Sequence, residues 1–175
     1  CCYNHPFWSL QNYDDYKDLR GLFAMEIYNH GCELDGLYGY ASQSYDEMLR
    51  TGMQLACLAT DDNHDCHPLG DPLNDSFGGW TVIRAQALTY PDVMDALQKG
   101  AFYASTGPEL KELFIQDNAL HIKCSPVEKI YIITESRSCK MKLALPGETI
   151  EEAVFPLTGN EGYIRVDCRD AAGHH

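Results

Sequence analysis

Leu22-Phe23-Ala24-Met25-Glu26-Ile27-Tyr28 is a short, mostly apolar run that ends abruptly at Asn29-His30-Gly31. A run of this length, bounded by turn-formers, reads as a buried strand delivering a polar loop. Two neighbours repeat the pattern. Upstream, Cys1-Cys2-Tyr3 reads as a strand end that hands Asn4-His5-Pro6 to a loop, with Pro6 biasing His5 toward an extended backbone. Downstream, Gln54-Leu55-Ala56-Cys57-Leu58-Ala59 reads as a strand buried on both faces, ending in Thr60-Asp61-Asp62-Asn63-His64-Asp65.

Helices fill the intervals. Asn12 followed by Asp15 predicts a helix to about Leu19, ended by Gly21. Ser44-Tyr45-Asp46-Glu47 fits a capping box, with Tyr45, Met48, Leu49 and Met53 on one face of the helix it opens. Gly78-Gly79-Trp80-Thr81-Val82-Ile83 reads as turn then strand. Pro91 opens a third helix after Thr89, and Gly100 stops it. Strand, loop and helix in alternation predict an α/β layout.

The pattern changes after Ser105-Thr106-Gly107-Pro108. Leu113–Gln116 and Leu120–Lys123 flank Asp117-Asn118 as a hairpin, and short strands follow around residues 129–133, 141–145, 152–157 and 163–167. Strands at this spacing predict a small antiparallel, sandwich-like domain. The expected division is therefore 1–108 and 109–175.

Composition narrows the partners. The formal net charge is −13, and the 13 basic residues are scattered, so a polyanion finds no stripe to bind and nucleic acid is excluded as a main partner. A small phosphorylated substrate stays in play, because a bound metal reverses the charge balance inside a cleft. No apolar stretch approaches the roughly 18 residues a spanning helix needs, and no leader pattern is present, so no membrane association and a cytoplasmic location are expected. The eight cysteines form no C-x-x-C pair, and free thiols are expected.

Three segments carry chemistry: Asn4-His5-Pro6, Glu26-Ile27-Tyr28-Asn29-His30 and Asp62-Asn63-His64. Each follows or ends a predicted buried strand, and strand ends are where α/β folds build sites. Imidazole and carboxylate together suit zinc, manganese or iron. The plain alternatives are a turn cap for His5, a solvated acidic loop for Asp62 and His64, and a strand-to-loop turn for Asn29 and His30. His64 and His67 form an H-x-x-H pair, although Pro68 argues for irregular backbone there.

These segments, in this order, resemble motifs of the polymerase-and-histidinol-phosphatase (PHP) superfamily. Asn4-His5-Pro6 resembles its later H-P motif, and Asp62-Asn63-His64 its final D-x-H motif. Met25–Asn29 is similar to the strand between them, and Tyr103–Pro108 to the end of family members that continue into a β domain. The resemblance covers about residues 1–108. It implies the C-terminal part of a distorted (β/α)7 barrel whose strand ends bind two or three divalent metals and a phosphoester. One metal would lower the pKa of a bridging water, and the others would stabilise phosphoryl charge.

By that resemblance His5, Asp62 and His64 are metal ligands, and Asp62 also orients the attacking hydroxide. Asn29, His30 and Arg84 are expected to contact substrate. Glu26 is expected to point away from the pocket, by alternation with Met25 and Ile27. The family's opening H-x-H motif is absent from these residues, so about half the ligands are missing. The missing half, or a second copy of the chain, is an expected partner. Two other readings remain open: an amidohydrolase-like metal hydrolase, and a non-catalytic binding module whose β domain uses Tyr131 and Tyr163.

Overall fold

A computed structural model describes residues 1–175. The chain forms eleven strands and four helices. The first three strands, β1 (Cys2–Tyr3), β2 (Ala24–Asn29) and β3 (Ala56–Thr60), lie parallel in the order β1-β2-β3. Two short helices, α1 (Tyr13–Tyr16) and α2 (His30–Leu34), and the longer α3 (Ser42–Arg50) make the crossovers.

The parallel series stops there. β4 (Trp80–Ile83) pairs antiparallel with β5 (Phe102–Ser105), with α4 (Tyr90–Gln98) between them. The expected part of a (β/α)7 barrel is therefore not what the chain forms. Strands account for 35% of residues and helices for 15%, in small sheets that do not close. A barrel requires each new strand to join the free edge of one parallel sheet. Here the fourth strand turns back on the third and takes the fifth as its partner instead.

Local chemistry explains the elements. Asn12 caps α1, and Asp15 returns a bond to the Asn12 N–H, a complete capping box. Thr89 caps α4 through the Asp92 N–H, and Gly100 leaves it at φ 68°. α3 departs from expectation: it starts at Ser42, two residues before the predicted Ser44 cap, with Ala41 preceding it and no side-chain cap. Tyr45 and Met48 on α3 pack with Tyr16, Met25, Ala41 and Leu55 in the core of this part. Burial of that face holds the helix without a cap.

The chain divides into two compact units, residues 1–106 and 107–175. The second contains β6 (Leu110–Gln116), β7 (Ala119–Val127), β8 (Lys129–Thr134), β9 (Lys140–Leu143), β10 (Ile150–Pro156) and β11 (Ile164–Arg169). They form two antiparallel sheets, β10-β7-β6 and β11-β8-β9. Asp117 and Asn118 join β6 to β7 with φ of 49° and 58°, the two left-handed residues that a two-residue hairpin of type I′ demands. Alternate residues Leu120, Ile122 and Cys124 of β7 meet Ile130 and Ile132 of β8 and Ala153 and Phe155 of β10 in one core. No helix is long and apolar enough to cross a membrane.

Candidate functional site

Because β1, β2 and β3 are parallel, the loops at their carboxyl ends leave one edge of the sheet, the edge where α/β proteins place ligands. A slip in pairing then decides which side chains meet. Glu26 pairs with Leu58 but Tyr28 pairs with Ala59, leaving Ile27 as one unmatched residue. Such a bulge re-aims the side chains beyond it. Glu26 and Asn29, which regular alternation would send to opposite faces, lie on the same side with Asn29 Nδ2 3.0 Å from Glu26 Oε2.

These two side chains tie the loops together. Glu26 Oε2 also accepts the His5 N–H at 2.9 Å, and Glu26 Oε1 accepts the Thr60 hydroxyl. Asn29 Nδ2 reaches Asp62 Oδ2 at 3.1 Å, while its Oδ1 accepts the Cys32 N–H at 2.8 Å and so caps α2. Glu26 thus sits where the loops converge, contrary to the expectation that it turns away. Both its oxygens are already engaged.

The loops hold strained backbone. His5, Asp62 and Asp65 have φ of 31°, 52° and 54°, the left-handed region that side chains disfavour. Such residues cost about 1–3 kcal/mol each and persist where surroundings over-determine them. His5 does not take the extended backbone expected before Pro6. Its N–H is drawn to Glu26, and its carbonyl accepts the Ser9 N–H at 3.0 Å in a tight turn.

Both imidazoles are oriented through Nδ1. His64 Nδ1 lies 2.5 Å from the Asp62 carbonyl oxygen and must donate to it, which leaves Nε2 with its lone pair when the ring is neutral. That arrangement is the one metal-binding histidines adopt. His5 Nδ1 is 3.0 Å from Ser9 Oγ, and its ring meets Trp8 edge-on at 5.3 Å.

Trp8, Asp35, Asp62, His64, His67 and Asp75 line a cavity of about 310 Å³. No Lys or Arg lines it. Trp8 Nε1 donates to Asp35 Oδ2 at 2.7 Å, and the His64 N–H to Asp75 Oδ2 at 2.7 Å. Asp75 is 9% exposed, and its buried Oδ1 has no hydrogen-bond partner. Burial, and then the negative charges of Asp62, Glu26 and Asp35, push the Cys32 thiol up to about 12, so it is an inert lining group. The cavity is built to favour positive charge.

Two expected contact residues lie elsewhere. The His30 ring packs on Gly78, where an added Cβ would sit 2.1 Å from it, and its Nδ1 is 2.9 Å from the Tyr28 hydroxyl. Asp61 fixes that contact by accepting the N–H groups of Phe77, Gly78 and Gly79 at 2.6, 2.8 and 2.9 Å. Arg84 is at the wrong end. Gly79 lies beside the Thr60 carbonyl and Thr81 bonds Ala59, so β4 runs away from the site and releases an exposed Arg84 past its far end.

The expected zinc, manganese or iron fits these residues in kind but not in number. Oriented imidazole and an unpartnered buried carboxylate oxygen suit such a cation. No three His, Cys, Asp or Glu side chains come together as a group able to hold one. The chain's own residues therefore do not complete a metal site, and no step is assigned to one. Sequence reasoning did not pick out Trp8, Asp35 and Asp75 as lining; only their acidic and aromatic character was visible. Comparison with protein-family models, with curated proteins and with solved structures finds no match.

Proposed function

We propose that residues 1–106 carry part of the active centre of a metal-dependent hydrolase, most simply a phosphoesterase acting on a small phosphorylated substrate. His5, Asp62 and His64 are this chain's share of the ligands, and Asp62 also orients the attacking water. The remaining ligands come from outside these residues, from a preceding portion or a second copy.

One observation carries the reading: the His5 and Asp62 loops, at the ends of β1 and β3, are joined at one sheet edge through Glu26 and Asn29. The order of motifs resembling PHP enzymes supports it. So does the charge of the cavity, because three carboxylates without Lys or Arg repel a phosphorylated molecule unless cations intervene. Asn29 is a tie between loops in this reading, since both ends of its amide are engaged. Tyr131 and Tyr163 are half-buried, which does not favour the binding-module alternative.

The test is turnover of p-nitrophenyl phosphate with added Mn²⁺ or Zn²⁺ by the longest protein containing these residues. His64→Ala and Asp62→Asn are expected to lose at least about 10-fold in metal affinity and activity. Unchanged turnover in His64→Ala removes His64 from the centre. Cleavage of amides in place of phosphoesters would select the amidohydrolase-like reading.

A further inference from the structure

Cys124 on β7 and Cys168 on β11 come from different sheets, which share no backbone ladder. β7 and β11 touch within the unit, and Cys168 packs against the core cluster that contains Cys124. The two thiols are near enough to influence each other's ionisation. Cys124 is fully buried, with its Sγ against the carbonyl oxygens of Ile150 at 3.9 Å and Glu151 at 3.8 Å, while Cys168 is half-buried. Isolated core thiols act as small apolar groups. A pair in contact across two sheets has a second chemistry.

We propose that Cys124 and Cys168 are a cross-linking site: a small-molecule disulfide converts them into a disulfide that clasps the two sheets of residues 107–175. Cys168 reacts first, because only it reaches solvent. Its thiolate attacks one sulfur of the oxidant, forming a mixed disulfide and expelling one thiolate. The Cys124 thiolate then attacks the Cys168 sulfur, forming the Cys124–Cys168 bond and expelling the second. The two cysteine protons end on the two released thiols, and two electrons pass to the oxidant. The neighbouring Cys124 thiol and burial both push the Cys168 thiol up, so exchange accelerates with rising pH. The link closes a loop of 44 residues along the chain, which restricts the unfolded state.

The experiment incubates the full chain with excess oxidised glutathione at pH 8.5. A variant with Cys1, Cys2, Cys66 and Cys139 changed to Ser, all exposed positions, suppresses unrelated pairing. Trypsin under non-reducing conditions should yield residues 124–129 joined to residues 166–169. The melting temperature should rise by about 5–15 °C and fall back with dithiothreitol. Cys168→Ser should lose both the linked peptide and the rise. Cys124→Ala gives the same readout if Cys168→Ser fails to fold. Recovery of both cysteines free, or of Cys168 only as a glutathione adduct, overturns the proposal.

Discussion

Glu26 is 3% exposed and accepts hydrogen bonds from the His5 N–H, the Asn29 amide and the Thr60 hydroxyl. No Lys or Arg is among those partners, so its burial rests on hydrogen bonds alone. Each hydrogen bond to a charged group is worth about 1.5–3 kcal/mol, and a buried donor left without a partner costs about 1–3 kcal/mol. Glu26→Ala strips three donors at once and is expected to destabilise the protein by about 3 kcal/mol or more. Glu26→Gln keeps an acceptor for His5 and Asn29 and should cost about 1 kcal/mol. Urea unfolding measures both; an alanine variant as stable as the parent would show that the tie between loops contributes nothing. That the His5 and Asp62 loops leave the same sheet edge was legible in the sequence, because each closely follows an apolar run. Glu26 was not, because an extra residue in a strand carries no composition signal, and alternation counted across Ile27 gives the wrong face.

Elements show where sequence signals hold and where packing overrides them. The hairpin at Asp117-Asn118 follows from residues that tolerate left-handed backbone between two apolar runs. The start of α3 does not follow from its capping residues, because Ala41 is buried in the core and brings the helix in two residues early. His30 reads as a pocket residue by its place after a strand, yet it opens α2 and is turned onto Gly78. The segment carrying Gly78 is pinned by Asp61, so it cannot retreat from a larger side chain. Gly78→Ala should therefore cost about 1–3 kcal/mol by overpacking. In a His30→Ala background the same change should be nearly neutral. A double-mutant cycle read by thermal unfolding gives the coupling. Equal costs in both backgrounds would mean that the His30 ring does not set the limit.

At the scale of the molecule, hydrophobic patterning recovered most strands but not their directions. Trp80–Ile83 reads the same whether it extends a parallel sheet or turns back on it, so neither the α/β layout read from alternation nor the barrel implied by the PHP resemblance is continued by β4 and β5. The candidate site was legible only in part for a related reason. Motif order places donors along the chain, whereas coordination requires their distances. The shift in pattern near Pro108 falls close to the division between residues 106 and 107. Residues 107–175 enclose a core of nine buried side chains drawn from three strands, β7, β8 and β10. A fragment 107–175 kept in reducing agent should accordingly show a β-type circular dichroism spectrum and a single cooperative melt. A featureless spectrum would mean that this core does not suffice alone, a real hazard for a domain of this size.

The unmatched Ile27 makes the site a matter of parity. Inserting one residue between Leu58 and Ala59 to face it would give a longer, more regular ladder. It would also swing Asn29 to the far face and part the first loop from the third. Selection for regular pairing and selection for convergence thus pull in opposite directions at a position that touches neither imidazole.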